Sequence, residues 1–216
     1  MNSKKFIFIS ALILIVVLSI IVIVNESKPL DNIRNSLYTQ SVISEKPSGG
    51  NFTLTAADGK HSLNEYQGKL VLLYFGYTYC PDICPTDLGN LSMTYHNLSQ
   101  AEKDQIQIIF VTVDPERDTA ARMLEYTNYF DANMVGLTGS KKEIAQVAKQ
   151  YGAVYAKAEQ HNQAKQNANY SVDHSAFTYL IDQQGQLQTQ LAHASSPKQI
   201  SQLIQMYLSK KQISNQ

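Results

Sequence analysis

Cys80 and Cys84 are the only two cysteines in a chain of 216 residues, and three residues separate them in Cys80-Pro81-Asp82-Ile83-Cys84. Two thiols at this spacing support three chemistries: soft-metal binding, dithiol exchange, or a small structural disulfide. The disulfide gains least, because its stabilisation grows with the loop it closes and this loop is tiny. A dithiolate favours Cu(I), zinc or iron–sulfur. Two cysteines are too few for a typical cluster, and a closed zinc site takes four ligands with Cys and His at tight spacings. A low-coordinate copper site needs one more ligand, most simply an imidazole.

The chain has five histidines. His61 lies in a polar hairpin return and is expected in solvent. His96 follows Cys84 by 12 residues along one expected helix, about 18 Å away at about 1.5 Å per residue, so it is out of reach. His161 lies in an amide-rich loop from which it could swing in, and His193 ends a returning strand. His174 stands at the start of an apolar strand beside Asp173, whose carboxylate could orient the ring by a hydrogen bond. Position alone leaves two readings of His174 open: a metal ligand, or a histidine satisfied at a strand end.

The elements around the cysteines say how they are held. Leu70 to Phe75 is too continuously apolar for a strand covered on one side, which predicts a central strand. Pro85 suits a first helical position, and Leu88, Leu91, Tyr95 and Leu98 then share one helical face. Cys84 therefore falls at or beside a helix N-terminus. The dipole there favours the thiolate, which is the species that binds metal or attacks a disulfide.

Ile106 to Val113 predicts a second buried strand, followed by Asp114-Pro115 and a helix through about Phe130. Met134 to Leu137 is a short strand. Ser140 and Glu143 have capping-box spacing and open a helix to about Tyr151. Gly152 to Ala158 reads as a strand, and 159–170 as a polar, amide-rich loop. Ala176 to Ile181 and Leu187 to Ala192 are strands joined by a turn at Gly185, and Ser196-Pro197 opens the last helix. Upstream, Asp58-Gly59 predicts a hairpin, and Ser62 with Glu65 a second capping box. Strands alternating with helices argue for an α/β fold with a mostly parallel sheet and an antiparallel edge. Cys80, Cys84 and Asp114 then fall at the C-terminal ends of strands, where active groups gather. Asp114 is read in two ways: it tunes the charge of the site or docks a partner, or it caps the segment after Pro115.

Lys+Arg and Asp+Glu both count 18. Lys4 and Lys5 are the only charges in the first 25 residues, which leaves 16 basic against 18 acidic residues, net −2. That balance gives no electrostatic footprint for nucleic acid. Phe6 to Val24 is a run of 19 uncharged residues, about long enough to span a hydrocarbon core of roughly 30 Å. Lys4 and Lys5 in front of it keep the N-terminus cytoplasmic. The run exceeds the usual apolar core of a signal peptide and lacks an A-x-A cleavage pattern. The expected organisation is an anchor over 1–24, a linker over 25–46, one domain over 47–210 and a tail over 211–216. The expected place is the bacterial inner membrane, single-pass, with the domain in the periplasm. In that oxidising compartment the cysteine pair is also expected to form a redox-active disulfide.

Four blocks resemble the SCO/SenC family. Tyr74 to Thr86, which holds both cysteines, looks like its copper-site motif. Val113-Asp114-Pro115-Glu116-Arg117-Asp118-Thr119 looks like its second motif and Gly136-Leu137-Thr138-Gly139 its third. Val172-Asp173-His174-Ser175-Ala176-Phe177 looks like the block with its metal histidine. The likeness spans about residues 49 to 182. It implies a thioredoxin-like fold, with an N-terminal hairpin in this chain, and a copper site made by Cys80, Cys84 and His174. It also implies delivery of copper, Cu(I) and in some states Cu(II), to the Cu(A) centre in subunit II of cytochrome c oxidase. The rival is a periplasmic thiol–disulfide oxidoreductase on the same fold. A typical thioredoxin carries C-x-x-C preceded by Trp, and a cis-proline before a later strand. This chain has C-x-x-x-C, no Trp, and no proline between Pro115 and Pro197. A carrier rather than an enzyme is therefore expected, with dithiol reduction of the target as an accessory activity.

Overall fold

The fold is that of a computed structural model, described over residues 47–158 and 170–214. The expected anchor and linker lie outside these residues, as does most of the amide-rich loop. Among the described residues no helix is long and apolar enough to cross a membrane.

The hairpin forms as expected. Strands β1 (Thr53–Ala56) and β2 (Gly59–Ser62) pair antiparallel. Ser62 and Glu65 close a capping box on the 3-10 turn Leu63–Tyr66. The chain continues through β3 (Leu70–Gly76), α1 (Ile83–Asn97), α2 (Gln100–Lys103), β4 (Ile106–Thr112), α3 (Ala120–Asn128), β5 (Met134–Leu137) and α4 (Lys141–Tyr151). It ends with β6 (Tyr155–Lys157), β7 (Val172–His174), β8 (Phe177–Ile181), β9 (Leu187–Ala192) and α5 (Pro197–Ser214).

Five strands form the central sheet in the order β5-β4-β3-β8-β9. β3, β4 and β5 run parallel, and β8 and β9 join antiparallel. Every residue of β3 and β4 is buried, as suits central strands covered on both faces; the polar Gln107 of β4 is satisfied there, its Nε2 donating to Asn133 O at 2.8 Å. Phe75, Tyr151 and Tyr179 meet in edge or tilted ring contacts at 5.6–6.0 Å in the core. Leu88 and Leu91 of α1 and Ile200 and Ile204 of α5 are also buried there.

Three local readings change. α1 begins at Ile83, with Asp82 as its cap residue, so Pro85 sits third in the helix rather than first. That position is still free of cost, because the first four N–H groups of a helix have no intrahelical partner. Thr119 caps α3, its side chain accepting from Arg122 N–H at 3.2 Å, so Asp114 is not the cap of that helix. The strand expected over Gly152 to Ala158 shortens to Tyr155–Lys157. It pairs antiparallel with Val172–His174 in a separate two-stranded ribbon. His174 therefore arrives at the end of a small ribbon, not at the head of a central strand.

Candidate metal centre

β3 delivers the chain to the site and α1 carries it away. Cys80 lies in the turn between them, where its N–H donates to Tyr77 O at 3.2 Å. Cys84 is the second residue of α1 and has no exposed surface. Its N–H donates to Cys80 Sγ at 3.4 Å. His174, 90 residues along the chain, brings Nε2 to 3.3 Å from Cys84 Sγ. The ligand atoms of Cys80, Cys84 and His174 all lie within 4.8 Å of one another, and among the described residues they are the only such cluster. Neither cysteine is in a disulfide.

The histidine is oriented by its own strand. His174 Nδ1 lies 3.2 Å from Val172 O. A carbonyl only accepts, so Nδ1 carries the proton and Nε2 presents a lone pair to the sulfurs. The expected role of Asp173 is corrected here. Neighbouring side chains on a strand point to opposite faces, and Asp173 is exposed while His174 is half-buried. Tyr77 completes the cradle: its hydroxyl accepts from Val172 N–H at 3.3 Å, and its ring stands edge-on to His174 at 5.6 Å.

The two thiols are electrostatically unequal. The hydrogen bond from the Cys84 thiol, then the N–H groups of Cys84 and Asp82, bring Cys80 down to about 5 against the opposing effect of burial. Cys84 moves the other way, first because it gives its hydrogen bond to Cys80 and then because it is buried. The pair therefore rests as one thiolate at Cys80 and one thiol at Cys84. Metal–sulfur and metal–nitrogen bonds of about 2.3 and 2.0 Å place sulfur and nitrogen about 3.5–3.7 Å apart at tetrahedral to trigonal angles. The observed 3.3 Å needs to open by only a few tenths of an ångström. Two sulfurs and one imidazole are a donor set suited to copper.

Asp114 does not reach the sulfurs. It is buried, with Oδ2 ion-paired to Arg117 Nε and Oδ1 accepting from Tyr170 OH at 2.6 Å. His61 is not open to solvent as expected: it lies between Asp58 Oδ1 at 2.8 Å and Tyr66 OH at 3.0 Å. His193 Nδ1 pairs with Asp87 at 3.0 Å. His96 lies outside the cluster, as its helical distance requires, and His161 falls outside the described residues.

Two supporting residues went unnoticed in the sequence. Asp118 is fully buried and accepts from Thr78 N–H at 2.9 Å, Thr78 Oγ1 at 2.6 Å and Thr112 Oγ1 at 2.6 Å. It ties the turn before Cys80 to the end of β4. Gly76 leaves room for the inner sulfur, since a Cβ there would lie 2.5 Å from Cys84 Sγ.

A thioredoxin-like α/β domain with two thiols and an imidazole at the strand ends defines a class of metal- or disulfide-handling proteins. The description SCO1/SenC matches residues 40–209, and the chain belongs to that family. The match runs past residue 182, where the motif likeness stops. The SCO2-like protein of Rickettsia felis is 38% identical over 157 residues, covering 72% of this chain and 75% of that protein. Among solved structures, Bradyrhizobium japonicum ScoI with copper bound is similar at a TM-score of 0.66 and 34% identity, covering 74% of this chain and 99% of that one. Yeast Sco1 with copper bound is similar at a TM-score of 0.67 and 32% identity, covering 78% and 94%.

Proposed function

We propose that this protein is a copper carrier that holds Cu(I) on Cys80, Cys84 and His174 and delivers it to the Cu(A) centre of cytochrome c oxidase subunit II. The observation that carries the reading is the meeting within 4.8 Å of two sulfurs and an imidazole that lies 90 residues beyond the second of them. The Nδ1–H···O=C bond at Val172 fixes the tautomer a metal needs. Relatives 34% and 32% identical are described with copper bound. The location we propose is the bacterial inner membrane, held by the apolar run Phe6 to Val24, with the domain on the periplasmic side. That placement rests on the length of the run and on Lys4 and Lys5 before it.

A second reading is favoured by one observation. Cys80 is the outer sulfur of the pair and accepts the Cys84 N–H at 3.4 Å, which favours its thiolate, the species that attacks a disulfide. Attack by the Cys80 thiolate and then by Cys84 would reduce a target disulfide to two thiols and leave Cys80 and Cys84 as the disulfide; the same site can hold copper only in its reduced form. The test is copper stoichiometry and X-ray absorption on the full chain in detergent under reducing conditions. One copper per chain with two sulfurs and one nitrogen is expected. A protein that takes up no copper yet turns over disulfide substrates rapidly would overturn carriage in favour of exchange.

A further inference from the structure

The ribbon that carries His174 is too small to hold itself. β6 and β7 pair over three residues each, outside the central sheet, and an isolated two-stranded hairpin is at best marginally stable in water. The distance of 3.3 Å between Nε2 and Cys84 Sγ must therefore be enforced from elsewhere. Val172 of β7 is buried in the core, and further contacts come from Tyr77 and from the segment after β4. Arg117 is at their centre. Its Nη1 donates to Tyr170 O at 2.9 Å, and its guanidinium lies 3.7 Å from the centre of the Tyr170 ring. Its Nε is ion-paired with Asp114, whose other oxygen accepts from Tyr170 OH at 2.6 Å. Asp114, Arg117 and Tyr170 thus close a three-sided clasp, with Tyr170 four residues before His174. Lys157 of β6 ion-pairs with Glu116 and lies 4.3 Å from the same ring centre.

We infer that Asp114, Arg117 and Tyr170 are positioning residues for the metal: the clasp docks the ribbon and thereby aims His174 Nε2 at the two sulfurs. This inference rests on the copper-carrier reading for its purpose but not for its geometry. Tyr170 bonds to Asp114 and Arg117 and lies on the His174 side of the clasp, whereas Arg117 also lies 4.7 Å from the ring centre of Tyr79 beside Cys80, so Tyr170 is the clasp residue whose effect on metal binding should pass through His174. That also gives Asp114 a role distinct from both its expected ones. It neither faces the sulfurs nor caps a helix; it anchors the arginine that holds the ribbon.

The test is a double-mutant cycle with a second, copper-free readout, using the full chain in detergent. Cu(I) affinity is measured by competition with a chelator for the wild type, Tyr170→Ala, His174→Ala and the double variant. A clasp acting through His174 weakens binding at least tenfold in the wild-type background and less than twofold in the His174→Ala background. Equal losses in both backgrounds, or no loss in either, overturn the inference. The second readout is the tautomer of His174 by side-chain nitrogen NMR on metal-free protein. The wild type is expected to hold the Nδ1–H form, and Tyr170→Ala to shift toward the mixture of a free imidazole. An unchanged tautomer overturns the clasp even if copper binds. A wild type that binds no copper overturns the carrier reading, and the tautomer measurement still decides the clasp. Asp114→Asn, which keeps the side-chain shape, repeats both measurements if Tyr170→Ala fails to fold.

Discussion

Replacing Gly76 with alanine tests whether packing behind Cys84 sets the metal site. The added Cβ would lie 2.5 Å from Cys84 Sγ and 3.0 Å from both Phe110 Cε2 and Tyr74 Cε1. Ordinary carbon contacts are about 3.5–4.0 Å, so the sulfur must retreat by about 1 Å. It has no free direction: Cys84, Phe110 and Tyr74 all have no exposed surface. Overpacking of this kind costs about 1–3 kcal/mol. If about 1.4 kcal/mol of that falls on the metal-bound geometry, affinity drops about tenfold. The assay is chelator competition for Cu(I), run beside denaturant unfolding. Gly89→Ala is the matched control. It lies on α1 with nothing within 4 Å of the new Cβ, so it should gain about 0.8–1.0 kcal/mol of helix propensity and leave copper affinity unchanged. If Gly76→Ala kept both stability and affinity within twofold, the inner sulfur would not be held by this contact and the reasoning would fail.

Three further outcomes are expected. His174→Ala should weaken Cu(I) binding strongly while His96→Ala leaves it unchanged; equal effects in the competition assay would remove His174 from the ligand set. Alkylation of Cys80 should rise through an inflection near pH 5, because its thiol is lowered to about 5. The stability linked to that thiolate is fully present above the unfolded thiol value of about 8.5 and is lost as pH falls through about 5. An alkylation inflection near 8.5 would contradict this. Asp118→Ala removes the acceptor of three buried donors. At about 1–3 kcal/mol for each donor left unsatisfied, it should lower unfolding free energy by at least about 3 kcal/mol; a loss under about 1 kcal/mol would show that the turn before Cys80 is held by something else.

The buried parallel strands and two of the three capping boxes were legible because each is a local pattern: largely apolar runs for β3 and β4, and Ser with Glu three residues later at Ser62 and Ser140; the same pattern at Ser99 and Glu102 went unnoticed. Cys80 and Cys84 announced themselves as the only thiols. His174 was legible as a ligand chiefly through motif likeness, since nothing local ties it to a site 90 residues away. The ribbon was hidden because β7 is three residues long and too short to show a period. Asp114 and Asp118 both read as acids after a strand. Only the fold shows that one holds an arginine and the other a turn, because their partners at Tyr170 and Thr78 lie 56 and 40 residues away. Gly76 carried no signal, since its constraint is a sulfur on another element.

Cys84 has no accessible surface, and Cys80 keeps 9%. A sulfur on another molecule can therefore touch only the outer member of the pair. Incoming thiolates and disulfides alike meet Cys80 first, and Cys84 becomes reachable only after the outer bond has formed or α1 has moved. Burial thus imposes a sequence of events on the site. Changes at Cys80 should alter how fast a partner engages, and changes around Cys84 should alter how long the cargo stays.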